Sequence, residues 1–159
     1  MRLPQLLNDA FNEQILSELS NALLYEEMAS LADSIGMCHT AAFFMGQAKE
    51  ERAHAQMFVK HLNSRIGGQV SHVESVPGHK FELSEISQIG SLFVQAEQKT
   101  SENIESLYAL ALEQSSYMDL PFLLEMLLEQ SHEEATAVTF EMKLASSNDM
   151  TTFDMAMKE

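Results

Sequence analysis

Four long segments carry apolar residues at helical spacing, and each has a polar side chain on its apolar line near the middle. That pattern constrains the chain more than any other feature. The period of about 3.6 residues specifies helices that bury one stripe. The first segment runs from about Pro4 to Asp33 and stops near Gly36. The second runs from about Thr40 to Ile66 and ends at Gly67-Gly68, a suitable C-terminal stop. The third starts near Ser84, where Ser-Glu-Ile suits a helix start, and reaches about Gln114. The fourth opens at Asp119, an N-cap with Pro121 in the first turn, and reaches about Ala145. A last amphipathic piece spans Asn148 to Lys158.

Loop lengths order these helices. Short connections near Gly36 and Ser116 join antiparallel neighbours. Between Gly68 and Ser84 lie about 15 residues, including Val-Pro-Gly, which is long for a compact bundle. Extended at about 3.3 Å per residue, they reach roughly 50 Å. A helix of about 27 residues is only about 40 Å long. The expected fold is all-α: two antiparallel hairpins joined by one long crossover, then a short fifth helix. Residues 1–159 are read as one domain, with the bundle over about 4–145 and the fifth helix over about 148–158.

The interruptions carry the chemistry. On the first helix Glu18 shares a line with Phe11, Tyr25 and Ala32. On the second, Glu51 lies between Phe44 and Phe58, with His54 one turn away. Glu97 sits between Gly90 and Ile104 on the third, and Gln130 and Glu133 break the stripe of the fourth. Mid-helix positions fall at one level of a bundle whichever way a helix runs, so these side chains should converge. The Glu51-x-x-His54 step puts a carboxylate and an imidazole on one helical face. Several buried carboxylates stay charged only beside cations. A polar network satisfied by Tyr25, Gln130 and water is the other reading, but these seams carry no Lys or Arg at that level. Carboxylate oxygens with one imidazole suit iron or manganese rather than a four-ligand structural zinc. A second step, Glu129-x-x-His132, is out of phase: His132 aligns with Glu125, Thr139 and Ser146, a polar line, and reads as a surface or subunit-interface residue.

Composition narrows the partners. The formal charge is −15, from 24 acidic and nine basic residues. Such a surface disfavours nucleic acid, whose phosphates need Lys and Arg, and favours cations. No stretch approaches the roughly 20 apolar residues of a transmembrane helix, so no membrane partner is expected. The first ten residues lack the apolar segment of a signal peptide, and a cytoplasmic location is the expectation. Cys38 is the single cysteine, which excludes an intrachain disulfide and any C-x-x-C metal knot.

The segments around Glu18 (Leu7 to Leu19), Leu23-Leu24-Tyr25, Ala48-Lys49-Glu50-Glu51-Arg52-Ala53-His54, Val73-Glu74-Ser75-Val76-Pro77 and Glu129-Gln130-Ser131-His132-Glu133-Glu134 resemble the ferritins over nearly the whole chain. The resemblance is nearest to the bacterial non-heme ferritins. It implies a ferritin-like four-helix bundle with an intra-subunit di-iron ferroxidase centre. Glu18, Glu51 and His54 would hold one iron; Glu51 would bridge to a second bound by Glu97, with Gln130 beside it. Tyr25 would hydrogen-bond the centre and donate an electron. A third iron site would draw on Glu50, Glu129 and Glu133, with Glu51 shared. The family also implies Fe²⁺ oxidation by O₂ or H₂O₂, and a homo-oligomeric 24-subunit shell storing Fe³⁺ as a mineral. Bacterioferritins bind heme through a methionine directly after the E-x-x-H glutamate. Arg52 occupies that position, so no heme is expected. Two other readings stand beside iron storage. One is a non-storing di-metal oxidase or peroxidase, similar to rubrerythrin or manganese catalase. The other is a non-catalytic helical structural protein.

Overall fold

The computed structural model describes residues 2–79 and 85–158. Four long helices follow one another: α1 (Gln5–Ser34), α2 (Cys38–Ser64), α3 (Ile89–Glu113) and α4 (Leu120–Ser146), with a short α5 (Met150–Ala156) after them. The elements match the expected order, and boundaries move by a few residues. α1 and α2 form one hairpin and α3 and α4 the other. Gly36 and Gly67 adopt positive φ (81° and 83°) just beyond the ends of α1 and α2, where a side chain would strain the backbone.

The crossover runs back along α1. Asn8 Oδ1 accepts from the Gln69 N–H at 2.8 Å, Asn12 Oδ1 from the Ser71 N–H at 2.7 Å, and Ser20 Oγ donates to the Pro77 carbonyl at 2.6 Å. Nine residues of loop thus run along three turns of helix, which carries the chain to the middle of α1. The expected start of α3 at Ser84 lies outside the described residues. Among those described, Glu85 and Gln88 form a reciprocal capping box at a 3-10 turn (Ile86–Gln88) that leads into α3.

Asp119 departs from its expected role. It immediately precedes α4, with Pro121 in the first turn, but its side chain makes no cap bond. The carboxylate turns inward instead, to Arg65 Nε at 2.7 Å, His61 Nε2 at 2.8 Å and Ser116 Oγ at 2.6 Å. A fully buried carboxylate with three such partners outcompetes a solvent-facing cap.

The core is divided into two apolar halves. One holds Tyr25, Met28, Phe44, Phe93, Phe140 and Phe153, with the Phe44 and Phe140 rings 5.0 Å apart. The other holds Leu7, Phe11, Phe58, Leu62, Ile104 and Leu123. On every long helix the polar residues predicted to converge fall between the two. Burial of these aromatic and aliphatic side chains, about 1.5–3 kcal/mol each, drives formation of the bundle and carries the polar layer inside with it. Phe153 anchors α5 by packing edge-on against Phe140 at 5.2 Å. No helix among the described residues is long and apolar enough to cross a membrane.

Candidate metal centre

Glu18, Glu51, His54, Glu97, Gln130 and Glu133 are all buried in the layer between the apolar halves. Two ligand trios form there. Glu18, Glu51 and His54 bring one ligand atom each to within 4.8 Å of one another, as do Glu51, Glu97 and Glu133. Glu51 belongs to both. α2 therefore supplies the shared carboxylate, α1 the distal ligand of one trio, and the second hairpin the remainder of the other. The Glu51–His54 step works as its spacing implies, because both side chains leave the same face of α2.

Hydrogen bonds hold the layer from its edges. The Tyr25 hydroxyl donates to Glu97. Gln130 Nε2 donates to Glu97 Oε2 at 2.6 Å and lies 3.2 Å from the Glu97 carbonyl oxygen. Gln130 thus orients Glu97 through its amide nitrogen. His54 Nδ1 lies 3.6 Å from Glu133 Oε1, linking the two trios across α2 and α4. Glu50, Glu129 and His132 are exposed on the same helices. The charges of Glu129 and Glu50 still reach Glu133, whose own carboxylate sits nearer Glu51 and Glu97.

Two polar residues of this layer, Gln14 and Asn21, escaped the sequence reading. Gln14 Nε2 donates to Glu18 Oε1 at 2.9 Å, both groups buried. Asn21 Nδ2 donates to Thr100 Oγ1 at 2.9 Å, tying α1 to α3 one turn from Glu18 and Glu97. The line Leu7–Gln14–Asn21–Met28 carried the signal, two amides at heptad spacing within an apolar row.

Electrostatics suit the layer to a cation. Burial, then the Glu18 and Glu97 charges, push the Glu51 carboxyl well above its ordinary range. Burial raises Glu97 to about 7 against the pull of Tyr25 and Gln130. Burial and the charges of Glu97 and Glu18 raise Glu133 to about 9. Tyr25 is also pushed well up, by burial and then by Glu97 and Glu51, so its phenol stays protonated. Glu18 Oε2 and Glu51 Oε2 are buried without a hydrogen-bond partner. Among the described residues no Lys or Arg is buried. Clustered carboxylates with orphan oxygens and no protein cation fit divalent metal, which supplies the missing positive charge and takes up the free lone pairs.

Comparisons with known proteins agree with this fold. The family model described as ferritin-like domain matches residues 8–155. The chain is similar to the bacterial non-heme ferritin of Staphylococcus saprophyticus, at 33% identity over 129 residues that cover 81% of this chain and 76% of that protein. Its counterpart from Staphylococcus haemolyticus is 31% identical over 133 residues, covering 84% and 79%. Among solved structures, an open pore ferritin from the hyperthermophilic archaeon Archaeoglobus fulgidus superposes with a TM-score of 0.90 at 26% identity, covering 98% of this chain and 96% of that one.

Proposed function

The chain belongs to the ferritin family, and from that premise we propose that it is an iron-storage ferritin with ferroxidase activity. The observation that carries this reading is the pair of trios sharing Glu51. Iron is the substrate. Glu18, Glu51 and His54 bind one Fe²⁺; Glu51, Glu97 and Glu133 bind its neighbour. Each ion gives up one electron. Two together match the two-electron reduction of O₂ to H₂O₂, or of H₂O₂ to two waters with uptake of two protons. Holding both ions on one shared carboxylate places them within reach of a single oxidant.

The protein's own groups handle the protons. Before iron arrives, burial favours the protonated forms of Glu51 and Glu133. Binding displaces such protons, since a ligating carboxylate must be ionised. Tyr25 and Gln130 orient Glu97 from one side and Gln14 orients Glu18 from the other. The Tyr25 phenol, one hydrogen bond from Glu97, is the group placed to yield an electron and proton. Glu50 and Glu129, exposed beside Glu133, suit a third Fe²⁺ position on the outer side of the layer, reached through Glu133. Residence in the cytoplasm and assembly into a closed 24-subunit shell belong to the same reading. The shell is where Fe³⁺ would accumulate as mineral.

Anaerobic Fe²⁺ loading followed by air, read by absorbance and size-exclusion chromatography, tests this. A shell-sized particle that retains far more iron than its trios hold supports storage. A small oligomer retaining only the iron of the two trios, or turning over peroxide without retention, overturns it in favour of a non-storing di-metal enzyme.

A further inference from the structure

A second ligand set lies outside the buried layer, where α5 docks against the start of α2. Cys38, His39 and Asp154 each bring a ligand atom to within 4.8 Å of the others, a thiol sulfur, an imidazole nitrogen and a carboxylate oxygen. Cys38 and His39 are the first two residues of α2, and Asp154 comes from α5, more than a hundred positions away. The Asp154 carboxylate is buried and fixed: its Oδ1 accepts from the Thr40 N–H and the Thr40 hydroxyl, both at 2.8 Å. Its other oxygen has only a long contact, 3.4 Å, from the His39 N–H. One oxygen anchors the group and the second is left with lone pairs to spend.

The surroundings are built for a soft ion. A cavity of about 280 Å³ opens beside the three residues, and its walls include Met37, Met150 and Met155. Met155 is 56% exposed and Met150 37%, so both thioethers are free to turn toward it. Cys38 is exposed and offers its sulfur to the same space. Sulfur, imidazole nitrogen and a single carboxylate select borderline and soft metals over hard oxygen-seeking ones. Three protein ligands leave a fourth tetrahedral position for water or a thioether.

We propose that Cys38, His39 and Asp154 form a binding site for a thiophilic divalent cation of the zinc class, separate from the carboxylate layer. The deprotonated Cys38 sulfur, a neutral His39 nitrogen and the free Asp154 oxygen each donate a lone pair. The thiol proton goes to solvent as the metal binds. An ion there cross-links α5 to α2, fastening the C-terminal segment to the bundle.

Co²⁺ titration of the full chain without oxygen is the test, because a thiolate–Co²⁺ charge-transfer band in the near ultraviolet reports cysteine ligation alone. Cys38 is the only cysteine, so the band cannot arise at the carboxylate layer. The expected result is a saturable band that disappears in Cys38→Ser and under excess Zn²⁺, and persists in Glu51→Gln. Affinity should fall at least tenfold in both His39→Ala and Asp154→Asn, the latter retaining a carbonyl oxygen for Thr40. Absence of the band, or a titration in either variant that matches the parent, overturns the proposal. Should Asp154→Asn fail to fold, His39→Ala decides.

Discussion

Glu18 on α1 and Glu51 on α2 meet in the interior of the bundle, and each keeps one carboxylate oxygen without a hydrogen-bond partner. A fold does not gain stability from that arrangement. Glu51 is pushed up by burial first and by Glu18 next, so the metal-free protein bears the cost of holding them together. Replacing Glu51 with Gln should therefore raise the melting temperature of the metal-free protein. About 0.5–2 kcal/mol is expected, the range for relieving strain held at functional sites. The same variant should lose paired iron oxidation, since both trios share this residue. Thermal melts in chelator and stopped-flow oxidation check the two halves. A destabilised, still active variant would sink the assignment.

The pH dependence of the metal-free protein follows from Glu97 and Glu133. Both have folded-state values above the ordinary 4.5, at about 7 and about 9. Below 4.5 each is protonated in folded and unfolded chains alike, and contributes no pH dependence. Above it the unfolded chain releases protons that the folded chain retains, so stability falls as pH rises. The decline from Glu97 ends near pH 7 and that from Glu133 near pH 9. Denaturant melts from pH 5 to pH 9 in chelator should show it. Saturating divalent metal should flatten the curve.

Proton release gives an independent reading of the same groups. At pH 7 metal must displace a proton from Glu133, with a smaller share from Glu97. In a Cys38→Ser background, lightly buffered titration with redox-inert Zn²⁺ should release about one to two protons per chain from the layer. Glu133→Gln should lower that by about one. Equal release from the variant would show that Glu133 does not hold its proton.

Gln14 marks where the sequence stops being legible. The bundle could be read because apolar residues recur every three to four positions. Glu18, Glu51 and Glu97 stood out because a charge on an apolar line is costly. Gln14 carries no charge, and an amide at such a position is ordinary on a half-exposed helix face. Only the structure shows it buried and donating to Glu18. Asp119 was misread for a related reason. Its local sequence is that of a helix cap, whereas Arg65 and His61, the partners that claim it, lie 54 and 58 residues earlier. Local pattern reports what one helix buries and is silent about what a distant segment brings to meet it.

Removal of the Gln14 donor takes away the amide that holds Glu18 Oε1. Gln14→Ala should weaken metal binding at the Glu18/Glu51/His54 trio by about 10–100-fold, the usual effect of losing a group that orients a ligand. Folding should be largely retained. Isothermal titration with Zn²⁺ in a Cys38→Ser background, resolving the two trios, checks it: the class lost in His54→Ala is the one that should weaken. Unchanged affinity would leave Gln14 a packing residue only.

Asp119 should govern stability without touching the chemistry. It is fully buried at the turn between α3 and α4, beyond the apolar half that holds Phe11 and Phe58, and is fixed by Arg65, His61 and Ser116. Burial alone would raise its carboxyl; bonds from His61, Arg65 and Ser116 and the Arg65 charge overcome this and hold it below the ordinary 3.8. A depressed acid contributes stability above its unfolded value, and that contribution is lost as pH falls through the folded one. Asp119→Ala leaves Arg65 without its buried counter-charge and should cost about 3–5 kcal/mol at neutral pH. The gap between parent and variant should close in acid, below pH 3.8. Oxidation rate per folded chain should be unchanged, because no group of the carboxylate layer touches Asp119. Urea melts at several pH values, paired with Fe²⁺ oxidation at a temperature where both proteins are folded, separate the two effects. A variant that melts normally but oxidises slowly would mean that this end of the bundle positions the metal ligands after all.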